Sequence, residues 1–215
     1  MINSGKRCTD IYFHASPNVD CFSPFFIIFA PRKCRKRRKM KIKDKNFVEM
    51  LSREDIARIV ERLAASLNAD MEGKNPYFLV MMNGAVFFAT DLLRQITIPC
   101  GLAFIKYTSY VGMGSSGKVT PVLPVPADVK GRNVVVIEDI VDTGETMKEF
   151  LSEIQRLAPA SVRIVSFLAK PAALKHHLLI DYVGKEIGNE FVLGYGLDYD
   201  GLGRNIPDLL VYDGK

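Results

Sequence analysis

Cysteine is scarce over most of this 215-residue sequence. Cys8, Cys21 and Cys34 lie within the first 39 residues, and only Cys100 lies beyond them. This distribution excludes a disulfide framework for the remainder and fits a reducing, cytoplasmic setting. Long apolar runs are also missing, since none approaches the roughly 20 residues that a membrane-spanning helix needs. No internal repeat is evident, and the length suits one domain with a substantial core.

Acidic residues are rare in the first 39 residues, which makes the overall charge misleading. That segment holds nine of the 29 basic residues and two of the 24 acidic ones, a net charge of +7, so residues 40–215 carry −2. Its apolar run at 22–30 precedes a basic cluster at 32–39, the reverse of the order in a secretory signal peptide. Two interpretations follow: a basic arm for nucleic acid or an anionic surface, or an extension outside the functional domain.

We predict the second interpretation, because Met40 opens a segment that looks like a natural protein start, MKIKDKNFVEMLSREDI. The helical and strand periodicities and the motifs described below all follow it. The functional domain is then expected at 40–215, and nucleic acid is not an expected partner. Deletion of residues 1–39 is expected to leave activity and thermal stability nearly unchanged.

The order of the apolar segments predicts an α/β domain with a mainly parallel, twisted sheet flanked by helices. Ser52 and Asp55 resemble a capping box for a helix that ends near Asn68. Strands are expected at 77–82, 101–106, 133–137 and 162–169, with further helices at 86–96 and between 144 and 159. The apolar run NVVVI at 133–137 is typical of a central strand buried on both faces. The tail from Ile180 onward is expected to be a cap.

Residues 108–128 are rich in glycine, serine and proline. A segment of this length inside a compact domain is usually a functional lid or a disordered linker, although an exposed hairpin is the plain alternative. The stretch 108–120 offers few large apolar side chains to anchor it, so its ordering costs much conformational entropy. We therefore predict a lid that is mobile without ligands.

The segment VVVIEDIVDTGETM at 134–147 combines two kinds of site. Glu138 and Asp139 follow the predicted strand at its carboxyl end, where open α/β sheets bind their ligands. Two adjacent carboxylates suit a hydrated Mg²⁺ ion or sugar hydroxyls. The sequence DTGET at 142–146 then opens a helix whose amides and hydroxyls can hold a phosphate. Asp142 or Thr143 could simply cap that helix, but a cap does not explain the two preceding acids, whereas a phosphorylated sugar explains the whole segment.

This segment closely resembles the phosphoribosyl-diphosphate-binding motif of the phosphoribosyltransferases, in which two acids, two apolar residues and D-T-G-x-T follow an apolar run. The stretches MMNGAVFFATDLL, TSY…SSG and NEFVLGYGLDYDGLGRNIPDL, with Lys170 after a strand, narrow the resemblance to the hypoxanthine-guanine phosphoribosyltransferases. The resemblance covers about residues 44–213. It implies the type I phosphoribosyltransferase fold with a small C-terminal hood, mainly at 171–215.

The resemblance also implies an activity. The protein would transfer the 5-phosphoribosyl group from phosphoribosyl diphosphate to hypoxanthine or guanine, a step of purine salvage that gives IMP or GMP and pyrophosphate. It would use Mg²⁺, act in the cytoplasm and form homodimers or homotetramers.

The resemblance assigns the sugar, phosphate and metal contacts as follows. Glu138 and Asp139 would hold the ribose hydroxyls and a Mg²⁺ ion, and Asp198 would bind a second Mg²⁺. Gly84 would belong to a pyrophosphate loop with a non-proline cis peptide at 82–83, and Arg204 would also contact pyrophosphate. The 5-phosphate would be bound by Asp142, Thr143, Gly144, Glu145 through its backbone, and Thr146.

For the base, the resemblance implies a further set of contacts. Asp142 would accept a proton near the purine N7, and Lys170 would donate to the 6-oxygen. Phe191 would stack on the base, and the backbone of Val192 would contact its edge. The mobile lid would begin with Thr108, Ser109 and Tyr110.

One residue departs from part of the family, and two other functions remain possible at this point. Some members carry lysine where this chain has Asn83, so its pyrophosphate loop would act through backbone amides and Mg²⁺. A regulator that senses the sugar diphosphate and binds nucleic acid is one alternative, and an orotate or uracil enzyme of the same fold is another. The purine set of Lys170, Phe191 and Asp198 argues against both.

Overall fold

The computed structural model describes residues 37–109 and 119–214, with 108–109 and 119–121 described by their backbone alone. Ten strands and three α-helices form within these ranges. The strands are β1 (Lys39–Ile42), β2 (Lys45–Leu51), β3 (Tyr77–Met81), β4 (Gly101–Ser109), β5 (Val119–Leu123), β6 (Asn133–Val141), β7 (Ser161–Ala169), β8 (Tyr182–Glu186), β9 (Val192–Leu193) and β10 (Leu209–Tyr212). The helices are α1 (Arg53–Met71), α2 (Val86–Leu93) and α3 (Glu145–Gln155). None of these helices is long and apolar enough to cross a membrane.

Six strands form the main sheet, in the order β5-β4-β3-β6-β7-β8. All neighbours run parallel except β5, which is antiparallel to β4. Successive residues of β6 point to opposite faces: Val135 and Ile137 pack in one core cluster with α1 and α2, whereas Val134 and Val136 pack in a second with α3. The expected α/β architecture, a mainly parallel sheet flanked by helices, is confirmed.

The capping box in the sequence correctly predicted where α1 begins. Ser52 caps the helix, since its hydroxyl accepts from the amide of Asp55 at 3.2 Å while the Asp55 carboxylate accepts from the amide of Ser52, also at 3.2 Å. The helix continues to Met71, three residues past the predicted end, because the side chain of Met71 is buried in the core.

Strand β6 is longer than its apolar run predicted and includes Glu138 and Asp139. Its pairing with β3 stops at Ile137, whereas its pairing with β7 continues to Val141. Beyond Ile137 the strand therefore has a neighbour on one side only. Polar side chains are tolerated in this part of the strand because β3 no longer covers one side of it. The two acids therefore lie within β6, and not after it as predicted.

The prediction that the tail from Ile180 onward is a cap is wrong for β8, which is the edge strand of the main sheet and pairs in parallel with β7. As an edge strand it buries only the side chain of Tyr182 and the backbone of Gly184. A β-carbon on Gly184 would lie 2.4 Å from the carbonyl oxygen of Phe167, so this strand needs glycine for close packing. Its sequence, YVGKE, therefore lacks the apolar pattern of a buried strand.

The remaining strands form a second, antiparallel sheet in the order β1-β2-β10-β9. We call it the hood sheet. Its core consists of Phe47, Leu193, Ile206 and Leu210. The hood sheet thus combines strands from both ends of the described chain, and β10 is an interior strand.

Arg38, just before β1, contacts a buried carboxylate. Asp208, which is 2% exposed, accepts from the Arg38 guanidinium at 3.3 Å and from the backbone amide of Arg53 at 3.0 Å. The carbonyl of Arg38 also accepts from the amide of Glu49 at 2.8 Å. The basic segment before Met40 therefore includes at least one residue with contacts to the folded domain.

The contacts of Arg38 correct the prediction that residues 1–39 can be deleted without loss of stability. Removal of residues 1–36 is expected to leave the melting temperature and activity unchanged. Removal of residues 1–39 also deletes Arg38 and one end of β1, and is expected to cost about 1 kcal/mol, or about 2–4 °C in Tm for a domain of this size. Thermal unfolding of the two truncated proteins distinguishes these outcomes. Equal loss in both would show that residues before 37 stabilise the domain.

The predicted lid falls largely between β4 and β5. Ser109 pairs with Val119 at the ends of these two antiparallel strands. Tyr110 and the glycine-rich stretch up to residue 118 lie outside the described residues, as do the side chains of Thr108 and Ser109. The mobility of the lid therefore stays a prediction.

Candidate active site

A cavity of about 330 Å³ opens at the carboxyl ends of β3 and β6. It joins parts of the chain that are far apart in sequence: the loop after β3, the acids of β6, the first turn of α3 and the segment that follows β9. Its lining residues are Met81, Met82, Asn83, Gly84, Tyr107, Glu138, Asp139, Ile140, Thr146, Asp198 and Arg204. A second cavity, around residues 140–147, adjoins it through the shared Glu138, Ile140 and Thr146.

Glu138 and Asp139 provide two adjacent carboxylates at this cavity. The amide of Asp139 donates to Glu138 Oε1 at 3.1 Å, and the amide of Ile140 donates to Asp139 Oδ1 at 2.8 Å. Burial, reinforced by the neighbouring charge of Asp139, raises the pKa of Glu138 well above its usual range. A nearby cation would relieve the repulsion between these two adjacent negative charges.

The donor set fits a magnesium ion. Mg²⁺ prefers oxygen ligands and is commonly held by one or two carboxylates, with water and substrate phosphates completing the shell. Glu138 and Asp139 supply such a pair, and Asp198 lines the same cavity. Within residues 37–109 and 119–214, no three His, Cys, Asp or Glu side chains are grouped closely enough to hold a metal by themselves.

The turn at 142–146 presents the N-terminus of α3. Gly144 is the N-cap residue and has φ of 78°, a left-handed conformation that glycine adopts without a steric penalty. Its carbonyl begins the helix by accepting from the amide of Lys148 at 2.9 Å. Residues 144–147 of the first helical turn line the second cavity, together with the hydroxyl-bearing Thr143. This arrangement can bind a phosphate group.

The side chain of Glu145 turns away from this turn toward two basic residues. Its carboxylate lies 3.5 Å from Lys175 Nζ and 3.4 Å from His176 Nε2. The bond with His176 lowers the pKa of Glu145, and the charge of Lys175 adds to that effect. These two ion pairs occupy the Glu145 carboxylate, and the binding of phosphate by its backbone amide stays a prediction.

Residues 170–176 run across the same turn. The amide of Lys175 donates to the carbonyl of Thr143 at 3.1 Å, and the side chain of Leu174 packs beside Gly144. Sequence reasoning missed Leu174, Lys175 and His176. The run KHH at 175–177 was the one available signal, but nothing in the sequence showed that it meets residues 143–145.

Asp142 and Lys170 form an ion pair with a distance of 2.8 Å between Oδ2 and Nζ. Lys170 is only 9% exposed, and its amide donates to the carbonyl of Val141 at 2.9 Å. Asp142 is the more accessible partner, with its side chain 49% exposed. The structure thus brings together Asp142 and Lys170, the two residues to which the resemblance assigned contacts with the purine N7 and 6-oxygen.

The loop after β3 packs closely against Asp139. Its Met82–Asn83 peptide bond is cis, as the resemblance implied. A β-carbon on Gly84 would lie 1.6 Å from Asp139 Oδ2, so any larger residue would displace the loop or this carboxylate. Asn83 lines the cavity at the position where some family members carry lysine.

Asp198 and Arg204 face the same cavity from the segment after β9. Arg204 Nη2 lies 2.5 Å from Asp198 Oδ1, and Arg204 Nη1 donates to the carbonyl of Gly196 at 2.7 Å. Asp198 Oδ2 accepts from the amide of Gly201 at 2.7 Å. These bonds fix the orientation of the guanidinium and of the carboxylate.

Phe191 and Val192 lie in the hood and are not among the residues that line the two cavities. Phe191 is 42% exposed, and its ring packs against Phe47 and Tyr199 with centroid distances of 6.1 and 5.7 Å. Val192 is buried in β9 and pairs with Val211 of β10. The exposed ring of Phe191 leaves an apolar surface on which a planar group can stack.

Three comparisons connect this geometry to known proteins. The family model "Phosphoribosyl transferase domain" matches residues 48–200. The chain is 36% identical to the hypoxanthine-guanine-xanthine phosphoribosyltransferase of Tritrichomonas foetus, in a match that covers 74% of this chain and 87% of the relative. It is 40% identical to the hypoxanthine-guanine phosphoribosyltransferase of Lactococcus lactis, in a match that covers 74% of this chain and 86% of the relative.

A solved structure agrees with these sequence matches. The crystal structure of a hypoxanthine phosphoribosyltransferase from Staphylococcus aureus superposes with a TM-score of 0.73 at 35% identity, covering 76% of this chain and 90% of the other. The chain also matches the bifunctional protein TilS/HprT of Listeria innocua at 38% identity, but over only 24% of that longer protein.

Proposed function

This chain belongs to the hypoxanthine-guanine phosphoribosyltransferase family, and on that premise we propose that it transfers the 5-phosphoribosyl group of phosphoribosyl diphosphate to a 6-oxopurine. The products are IMP or GMP and pyrophosphate. The observation that carries the proposal is one cavity lined by Gly84, the acids Glu138 and Asp139, and Arg204, next to the phosphate-binding turn at 142–146. A ribose with a phosphate at one end and a diphosphate at the other fits this spatial arrangement: the phosphate at the turn, the ribose at the two acids, and the diphosphate at Gly84 and Arg204.

The roles that we propose for the sugar and phosphate contacts are those that the family resemblance implies, and the positions of the residues around the cavity support them. The turn at 142–146 binds the 5-phosphate, and the carboxylates of Glu138 and Asp139 hold the ribose hydroxyls. The loop at Gly84 and the guanidinium of Arg204 stabilise the negative charge that develops on the leaving pyrophosphate. Mg²⁺ at Glu138 and Asp139, with a second ion at Asp198, would supply further electrostatic stabilisation of that leaving group.

The base has a separate set of proposed contacts. Asp142 accepts the proton that the purine loses as its ring nitrogen attacks the anomeric carbon. Lys170 donates to the 6-oxygen, Phe191 stacks on the ring and the backbone of Val192 contacts the base edge. Thr108, Ser109 and Tyr110 begin the lid, which excludes water from the activated sugar. We further propose that the functional domain predicted at 40–215 also includes Arg38 and Lys39, which contact it, and that it assembles as a homodimer or homotetramer.

Initial-rate measurements test this function. The purified protein is incubated with phosphoribosyl diphosphate, Mg²⁺ and hypoxanthine, guanine or xanthine, and nucleotide and pyrophosphate are measured together. Stoichiometric formation of both supports the proposal. Binding of phosphoribosyl diphosphate without turnover of any purine would favour a sensor, and turnover of orotate or uracil would favour the pyrimidine enzymes.

Lys170 leads to a prediction about the choice of base. A buried lysine that donates to a 6-oxo group would face the 6-amino group of adenine, which is also a donor. It would then form no hydrogen bond with the base. We therefore expect kcat/KM for adenine to be lower than for hypoxanthine by about 10⁴-fold, the range for sites built around one hydrogen-bond pattern. Steady-state kinetics with both bases measure this ratio. Efficient use of adenine would refute the role of Lys170.

A further inference from the structure

A left-handed turn at 194–196 lies behind the pyrophosphate site. Gly194, Tyr195 and Gly196 have φ values of 98°, 49° and 103°, so three consecutive residues adopt positive φ. Tyr195 is not a glycine, and such a conformation is sterically unfavourable unless its surroundings hold it. The amide of Tyr195 donates to the carbonyl of Ile206 at 2.7 Å, and its side chain is 6% exposed.

The Tyr195 side chain links this turn to α2. Its hydroxyl donates to Asp91 Oδ2 at 2.8 Å, and its ring packs edge-on against Phe167 with a centroid distance of 5.0 Å. Burial and the neighbouring carboxylate of Asp91 raise the pKa of Tyr195 above its usual range, so the hydroxyl stays a donor. Asp91 belongs to the helix that begins directly after the loop at Gly84. The bond therefore joins the turn to the element that carries the pyrophosphate loop.

Gly196 contacts both halves of the pyrophosphate site. A β-carbon on it would lie 1.9 Å from the carbonyl oxygen of Gly84, so the two backbones meet directly. On its other side, the amide of Gly196 donates to the carbonyl of Arg204 at 3.0 Å, and its carbonyl accepts from the Arg204 guanidinium at 2.7 Å. One residue thus separates the Gly84 loop from Arg204.

We propose that the turn at 194–196, held by the Tyr195–Asp91 hydrogen bond, positions the Gly84 loop and Arg204 for pyrophosphate. This inference rests on the proposed function, because it assigns support to a site of that reaction. Tyr195, Gly196 and Asp91 do not line the cavity and act only as positioning residues. Changes at these residues should weaken binding of the diphosphate and leave binding of the base unchanged, because the base contacts have other supports. Lys170 and Asp142 pair with each other, Phe191 packs against Phe47 and Tyr199, and Val192 pairs with Val211.

Tyr195→Phe tests the proposal, with Tyr182→Phe as a matched control. Tyr182 is 8% exposed and also donates to a helix carboxylate, Asp70 Oδ2, at 2.8 Å, but its contacts lie at the β8 edge. Both variants keep the ring and lose the bond to a helix carboxylate. Tyr182→Phe also removes the bond that the Tyr182 hydroxyl accepts from Arg163 Nη1 at 3.0 Å, so it is the more severe change. Tyr195→Phe is expected to weaken binding of Mg²⁺-pyrophosphate and to raise KM for phosphoribosyl diphosphate by about tenfold. The KM for hypoxanthine should stay within about twofold, and Tyr182→Phe should change neither KM.

A second pair of variants changes Asp91 in place of the buried Tyr195 and therefore leaves the packing of the core intact. Asp91 is solvent-exposed, so Asp91→Ala should fold and reproduce the Tyr195→Phe effect. Asp91→Asn keeps a carbonyl oxygen that can accept from the Tyr195 hydroxyl and should restore most of the pyrophosphate affinity. The double variant with Tyr195→Phe and Asp91→Ala should be no worse than either single variant, since both remove one interaction.

Calorimetric titration of Mg²⁺-pyrophosphate into wild-type protein and into the variants distinguishes failure of the proposed function from failure of the positioning role. If wild type binds no pyrophosphate and turns over no purine, the proposed function fails and this inference fails with it. If wild type binds pyrophosphate but Tyr195→Phe and Asp91→Ala bind it equally well, only the positioning role is overturned. Equal losses of pyrophosphate and hypoxanthine binding would also overturn it, because they would show general damage to the fold.

Discussion

Replacing Asp142 by asparagine is expected to lower kcat for nucleotide formation about 10²-fold or more, the range for loss of a general base. Asparagine has nearly the same shape, but its amide cannot accept the proton that the purine must lose. The dissociation constant for IMP should change far less, because the product no longer carries that proton. Rapid-quench or steady-state rates together with IMP titration measure the two quantities separately.

A matched variant distinguishes this effect from general damage to α3. Glu149→Gln makes the same change from acid to amide at an exposed position further along that helix, and should leave kcat unchanged. An Asp142→Asn protein with normal kcat and a raised KM would make Asp142 a binding residue only. Because Lys170 loses its charged partner in this variant, the hypoxanthine KM should be recorded as well.

Gly84→Ala is expected to reduce kcat/KM for phosphoribosyl diphosphate by about 10²-fold, the loss that follows a displacement of about 1 Å in a reacting group. The added methyl group would lie 1.6 Å from Asp139 Oδ2, far inside van der Waals contact. Either the loop or the carboxylate must move, and both belong to the proposed site for Mg²⁺ and pyrophosphate. The measurement is kcat/KM at several Mg²⁺ concentrations.

Gly73→Ala is the control for Gly84→Ala, because it adds the same methyl group at a position far from any neighbouring atom. Gly73 has φ of 72°, and a β-carbon there would meet no atom within 4 Å. Alanine should therefore destabilise the protein through backbone strain, by about 1 kcal/mol, and leave kcat/KM unchanged. If Gly84→Ala kept full activity, close packing between the loop and Asp139 would have no role in catalysis.

The sequence predicted those elements whose signals are local. The capping box at Ser52 identified the start of α1, and the apolar run at 133–137 identified β6 as a central strand. The end of β6 was not predictable, because it depends on pairing with β7 alone after Ile137. Edge strand β8 was missed for a related reason, since it buries one face only and carries a glycine where the neighbouring backbone is closest.

The residues of the candidate site also fall into two groups: those that a local stretch of sequence predicts and those that depend on contacts between distant parts of the chain. The acids of β6 and the turn at 142–146 are contiguous, so a single stretch of sequence predicted them. Tyr195 and Gly196 act through contacts with Asp91 and Gly84, which lie more than a hundred residues earlier. A glycine can indicate a close approach of two backbones, but sequence alone does not identify the second one.

The interior position of β10 in the hood sheet has a consequence for the order of folding. The main sheet is complete once residues 77–186 are available, but β2 and β9 do not pair with each other and both require β10. During synthesis β2 is made early and must wait for almost the whole chain before its second neighbour exists. Such long-range pairings form slowly.

We therefore expect the main sheet to form before the hood during synthesis, with the edges of β2 and β9 exposed until the last strand joins. Exposed strand edges promote association between chains. A chain that ends at residue 208 should accordingly keep its parallel sheet and yet aggregate, which light scattering during refolding would detect. A soluble, monodisperse 1–208 chain would show that the two edges are protected in another way.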